Sequence, residues 1–190
     1  GDDDIVLPNG IAFLVGLLSH GDYDLIHLMS YGFWNDWRAE QYQDRFGRIA
    51  EVMRDQKEYL SRINAMLGFI SANIINKERF ISLNFKSLDD LIGTNLVQFG
   101  WGLPVLTHSH RNLLVWKRVL AGRCGNSSGW GVCKTFGVNL EHVLSLVIPD
   151  RPDLHRIMLR SVLVNWFPDR IIEIRSGVAG PLDTEDIIKV

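Results

Sequence analysis

The chain opens on three consecutive carboxylates, Asp2-Asp3-Asp4, followed by Ile5-Val6-Leu7-Pro8. Adjacent carboxylates repel one another, so such a run is costly unless water or a cation shares its charge. In an extended segment Asp2 and Asp4 point one way and Asp3 the other. Two oxygens on one side suit a hard divalent ion that keeps some waters and takes its remaining ligands from a phosphate. A solvated, fraying acidic terminus is the plain alternative. An EF-hand is excluded, because its acids alternate with other residues along a loop of about 12 residues.

Weaker candidates lie further along. His108 and His110 sit two apart with Arg111 following; His-x-His can chelate a metal, but with no third ligand in view a surface or phosphate-facing turn is the better explanation. Arg123 and Asn126 stand in the glycine-rich stretch 122–131, where they could hydrogen-bond a sugar or a diphosphate, or simply fold the loop. Trp34, Trp37, Trp101 and Trp130 could stack on a sugar ring, although aromatic side chains are commonly core. Cys124 and Cys133 are too few for a disulfide framework or a zinc site and read as free thiols in a reducing, cytoplasmic compartment.

These residues need elements to hold them. Pro8 near the start and Gly21 past the end frame a helix over 9–19. Short apolar runs between turn residues predict strands near 24–29, 69–75 and 113–119. Residues 31–40 read as an irregular excursion. Over 41–66, Ile49, Val52, Met53, Leu60 and Ile63 recur at helical spacing. Asn76 to Arg79 reads as a turn or short helix, and 88–106 as helical in part. Two amphipathic helices follow at about 133–147 and 152–165, split by Pro149 and Pro152. The class is mixed α/β with a helical C-terminal third.

Composition bounds the rest. At 190 residues, 46% hydrophobic and 22% charged, the chain is long enough to bury about 70% of its unfolded surface without staples. A net charge of −2 argues against a dedicated polyanion binder. No stretch reaches the roughly 18 to 20 apolar residues of a membrane span; the best, Ile11 to Leu18, stops at Ser19-His20. An opening without methionine, directly on the acidic motif, is expected of a piece of a longer chain.

In order along the chain, Gly1-Asp2-Asp3-Asp4-Ile5-Val6-Leu7-Pro8, a helix and the strand Asp24-Leu25-Ile26 resemble the centre of a family 2, GT-A type nucleotide-sugar glycosyltransferase. Phe69 to Glu78 (FISANIINKE) is similar to a strand and turn in that family's acceptor half. Ile92-Gly93-Thr94-Asn95-Leu96-Val97-Gln98 and Arg123-Cys124-Gly125-Asn126 resemble segments of its abequosyltransferase-like branch. The resemblance covers about residues 1–130 and implies a partial GT-A-like, Rossmann-like domain that begins at the aspartate motif, with 131–190 as a helical extension. It implies that Asp2, Asp3 and Asp4 hold Mg2+ or Mn2+, and that Asn95, Trp101, Arg123 and Asn126 contact substrate. The donor would be a nucleotide sugar. The acceptor would be a glycan or a lipid-linked glycan at the inner face of a membrane, and the transfer would invert configuration. The family's base follows the FISANII-like strand; the nearest acids here are Asp89 and Asp90, which also suit a helix N-terminus.

Two other classes compete. A helical interaction module could use the apolar stripe Leu154, Met158 and Trp166, flanked by Arg156, Arg160 and Arg170, to dock on a partner or on anionic lipid. A metal-dependent phosphohydrolase could use the same aspartates, but needs a nucleophilic aspartate at the end of an apolar strand, and none precedes Gly1.

Overall fold

The computed structural model describes residues 3–41, 47–85, 88–124 and 131–176. The elements run β1 (Ile5–Val6), α1 (Gly10–Leu18), β2 (Leu25–Phe33), β3 (Ala50–Met53), α2 (Gln56–Ile63), β4 (Asn73–Ile75), α3 (Lys77–Ser82), α4 (Phe99–Thr107), β5 (Asn112–Arg123), α5 (Leu140–Val147), α6 (Pro152–Ser161) and α7 (Phe167–Arg175). The protein is mixed α/β, as its pattern predicts. β2 and β5 run parallel at the centre of one sheet. β4 lies antiparallel outside β2, while β3 and β1 share the other edge of β5, one after the other.

Side chains alternate across the central strands and feed two cores. Ile26, Leu28, Leu113 and Val115 face α1 and its Leu14. Leu25 and Leu114 face the opposite way, into a larger core with Tyr59 and Leu60 of α2, Phe99 and Leu103 of α4, Leu140 and Leu144 of α5, and Leu154 and Met158 of α6. The C-terminal helices therefore share one core with the sheet. Leu154 and Met158 are fully buried, and Trp166 packs edge-on against Phe136 at 4.7 Å. These two rings come from π-helical stretches, Lys134–Asn139 and Val162–Trp166. The stripe that would have docked on a lipid or a partner is thus core packing.

The strands near 24–29 and 113–119 are present and longer than the apolar runs suggest. Two expectations change. Residues 41–66 are not one helix: Ala50–Met53 is an edge strand on β5, and a helix begins only where Asp55 caps it, its Oδ1 accepting the Glu58 N–H at 2.7 Å. Ile49, Val52 and Met53 have a helical spacing, and the open edge of β5 overrides it. Over 69–75 only Asn73–Ile75 pairs with β2. Asn73 donates from Nδ2 to the carbonyls of Leu67 and Phe69, which holds the preceding residues in turns. Because that amide donates from its nitrogen, its oxygen must accept, so the buried His27 carries its proton on Nδ1 and donates to Asn73 at 2.9 Å.

Asp24, 5% exposed, pins the start of the sheet. Its Oδ2 accepts the N–H groups of His110 (2.7 Å) and Arg111 (3.1 Å), and its Oδ1 accepts Arg79 Nε at 2.9 Å. Its own N–H donates to the Arg111 carbonyl, and its carbonyl accepts the Asn76 N–H.

Three stability outcomes follow. Asp24→Ala strands two backbone donors and lowers the unfolding free energy in urea by about 3 kcal/mol. Arg79→Ala costs about 1 kcal/mol or less, because that arginine's side chain is 52% exposed. Leu154→Ala empties a core site and costs about 3 kcal/mol in the same measurement; a cost below about 1 kcal/mol would show that α6 is not docked.

Candidate functional site

Asp4 immediately precedes β1, whose pairing with residues 120 and 121 of β5 delivers it to the end of the sheet. There three distant segments meet on one carboxylate. Asp4 Oδ2 accepts the Ser71 hydroxyl at 2.6 Å, and Oδ1 accepts the Arg123 N–H at 3.3 Å. Gly122 makes the approach possible. A Cβ there would lie 2.9 Å from the Phe69 ring and 3.5 Å from Asp4 Oδ1, so a side chain would displace the ring. Burial pushes the Asp4 carboxyl up, but hydrogen bonds to its ionised form, among them those from the Ser71 hydroxyl and the Arg123 N–H, hold it below the usual carboxylate range. Asp4 is therefore ionised at neutral pH.

The metal expectation can be tested on this donor set. Asp3 and Asp4 are both half-buried, and Asp2 lies outside the described residues. Each Asp4 oxygen accepts at least one hydrogen bond, from the Ser71 hydroxyl and from the Arg123 N–H. Among the described residues no three potential His, Cys, Asp or Glu ligands gather. Two hard carboxylates fit Mg2+ or Mn2+ only when phosphate and water complete the sphere, which is the mode these ions favour.

The remaining candidates are more dispersed. Arg123 joins Asp4 through its backbone N–H, while the residue itself is exposed. Asn126 and Trp130 lie outside the described residues. Asp89 and Asp90 are exposed in a single 3-10 turn, Asp89–Leu91, anchored by the buried Leu91. Asn95 is exposed in a left-handed turn (φ 62°), where asparagine is well suited. Trp101 is half-buried on α4, and Trp34 is exposed. His108 is turned onto its own helix end, with Nδ1 3.0 Å from the Pro104 carbonyl, and His110 supplies a backbone N–H to Asp24. Cys124 and Cys133 are free thiols. Ser71 was legible as a residue of the FISANII segment but not as a partner of Asp4. A lone hydroxyl in an apolar run was its one signal.

No described helix is long and apolar enough to cross a membrane. In comparisons with protein families, with curated proteins and with solved structures, nothing matches this chain.

Ser71→Ala removes one donor that favours the ionised Asp4. The Asp4 carboxyl then titrates at higher pH than in the wild type, read by carboxyl carbon NMR. A carboxylate held low contributes stability above its unfolded value, and that stability is lost as pH falls through the folded value. The variant should therefore begin to lose the Asp4 contribution at a higher pH on acidification.

Proposed function

We propose that this chain is the acceptor half of a metal-dependent, nucleotide-sugar glycosyltransferase of the GT-A type, acting on a glycan or lipid-linked acceptor. The observation that carries the reading is the convergence on Asp4. The aspartate motif, the FISANII segment and the Arg123 segment resemble that family separately, and they lie about 70 and 120 residues apart along the chain; in space they share one carboxylate. The buried stripe on α6 weakens the competing reading as a helical docking module.

In this reading Asp3 and Asp4, with Asp2, hold the cation. A bound Mg2+ or Mn2+ stabilises the negative charge that grows on a leaving nucleoside diphosphate. The protein's own contribution is orientation: Ser71 and the Arg123 N–H fix the Asp4 carboxylate and keep it ionised, so it needs no reorganisation when charge develops nearby. Asp89 and Asp90 are the base candidates. Their exposed turn supplies a carboxylate that can take the acceptor hydroxyl proton once acceptor and donor are bound. Asn95, Trp101, Arg123 and Asn126 are the proposed substrate contacts. The proposed setting is cytoplasmic.

The test is Mn2+ titration followed by electron paramagnetic resonance, with cytidine, uridine, guanosine and thymidine diphosphate each present in turn. Mn2+ binding should strengthen with one of them, and should fall at least about tenfold in Asp3→Asn/Asp4→Asn. Equal binding by wild type and variant would remove the metal role, and with it this reading.

A further inference from the structure

The central parallel pair is interrupted. Leu28 stands opposite Val115, but Ser30 stands opposite Leu120, so residues 116–119 of β5 face the single residue Met29. The N–H groups of Trp116 and Lys117 both donate to the Ile49 carbonyl at 3.0 Å, while the Val119 carbonyl accepts the Leu7 N–H at 2.9 Å. The strand is thrown outward between these anchors. In a regular strand Lys117 and Arg118 would point to opposite faces; here both line one cavity of about 540 Å³. Bulges re-aim side chains in this way and recur beside binding sites.

The cavity lies beyond the far end of β1 from Asp4, between the opening of α1, the bulge and the turn Trp37–Gln41. Its volume is that of a small-molecule site. Its described lining holds three cations, Arg38, Lys117 and Arg118, and no carboxylate. Two of the cations are seated on aromatic rings of the same wall: Lys117 Nζ lies 4.5 Å from the Phe13 ring centre, and the Arg38 guanidinium 4.3 Å from that of Trp37. The turn that carries Arg38 is organised in advance. Glu40 accepts the N–H groups of Trp34, Asn35 and Asp36 at 2.8 to 3.0 Å, and Asp36 Oδ1 accepts the Arg38 N–H at 2.9 Å. Glu40 and Asp36 are thus engaged with backbone donors.

From this cavity, its bulge and its cations we infer a second binding site, for the phosphoryl group of an organic phosphate or diphosphate, held by Lys117 and Arg38. Leu7, Pro8 and Val119 give the same wall an apolar part, so the ligand is a phosphate ester rather than a bare ion. The site is independent of the carboxylates at Asp4 and does not rest on the glycosyltransferase reading.

The test is calorimetric titration of the 190-residue chain with pyrophosphate and with glycerol 3-phosphate, in low salt with EDTA. The chelator removes any metal-mediated binding at the aspartates. In parallel, the chain is sedimented with phosphatidylglycerol–phosphatidylcholine vesicles. Lys117→Met and Arg38→Ala change exposed residues, and thermal unfolding checks that both fold as the wild type does. Either variant should weaken binding at least about tenfold, whereas Arg62→Ala, an exposed cation on α2, should leave it unchanged. Soluble phosphates that bind and are lost in the two variants assign a free ester. Vesicles that bind and are lost in the same variants, with no binding of the soluble compounds, assign a lipid headgroup. Absence of binding in both arms, or equal loss in Arg62→Ala, overturns the site.

Discussion

The sheet depends on one buried carboxylate. β2 and β5 are parallel and separated by the whole middle of the chain, so no hairpin turn sets their register. A one-residue slip of β5 would send Leu114 to the α1 face and Leu113 to the helical core. Asp24 prevents this by holding the N–H groups of His110 and Arg111, directly before β5 begins, while its main chain is tied to Arg111 and to Asn76 before α3. The starts of β2, β5 and α3 are therefore fixed relative to one another at a single point. Everything later on β5, including the residues that receive β1 and Asp4, inherits that register.

The register does not survive to the far end of the pair. β5 carries three more residues than β2 between the two paired segments, and the excess is concentrated at 116–119. Edge strands absorb it: β3 pairs with β5 before the bulge and β1 after it, so neither crosses the irregularity. This explains why two short strands, rather than one long strand, share that edge of β5. It also separates the two ends of β1. Beyond Val6 lie the bulge and its cations; before Ile5 lie Asp4, Ser71 and the Arg123 N–H.

How much of this was legible follows from where the determinants sit. α1, β2 and β5 were readable, because short apolar runs between Gly, Asp and Pro are local signals. β3 was not, because Ile49, Val52 and Met53 satisfy a helical spacing, and only the open edge of β5 makes them a strand. The loss of half the expected strand at 69–75 comes from Asn73, whose amide bonds backward to the main chain. The aspartate motif announced Asp4, but its partners are a hydroxyl and a backbone N–H, and a backbone N–H leaves no mark in a sequence. Asp24 passed as an ordinary first residue of a strand, since its ligands are main-chain groups 86 and 87 residues away. Lys117-Arg118 passed unremarked within the strand near 113–119, although two adjacent charges in an otherwise apolar strand cannot both be accommodated by alternation.

Charge shows most clearly why composition alone misleads. A total of −2 describes a chain with no preference for polyanions, yet a ligand responds to charges within a Debye length of about 10 Å at 0.1 M salt. On that scale this protein has two opposite local fields. Carboxylates collect where β1 begins, and cations collect where it ends, because a two-residue strand is enough to separate them when a bulge turns the neighbouring basic pair outward. Neither field depends on the other: one is organised by Ser71 and the end of β5, the other by Glu40 and two aromatic rings. A near-neutral sum of 20 basic and 22 acidic residues hides such local clusters, and the geometry of β5 is what keeps these two apart.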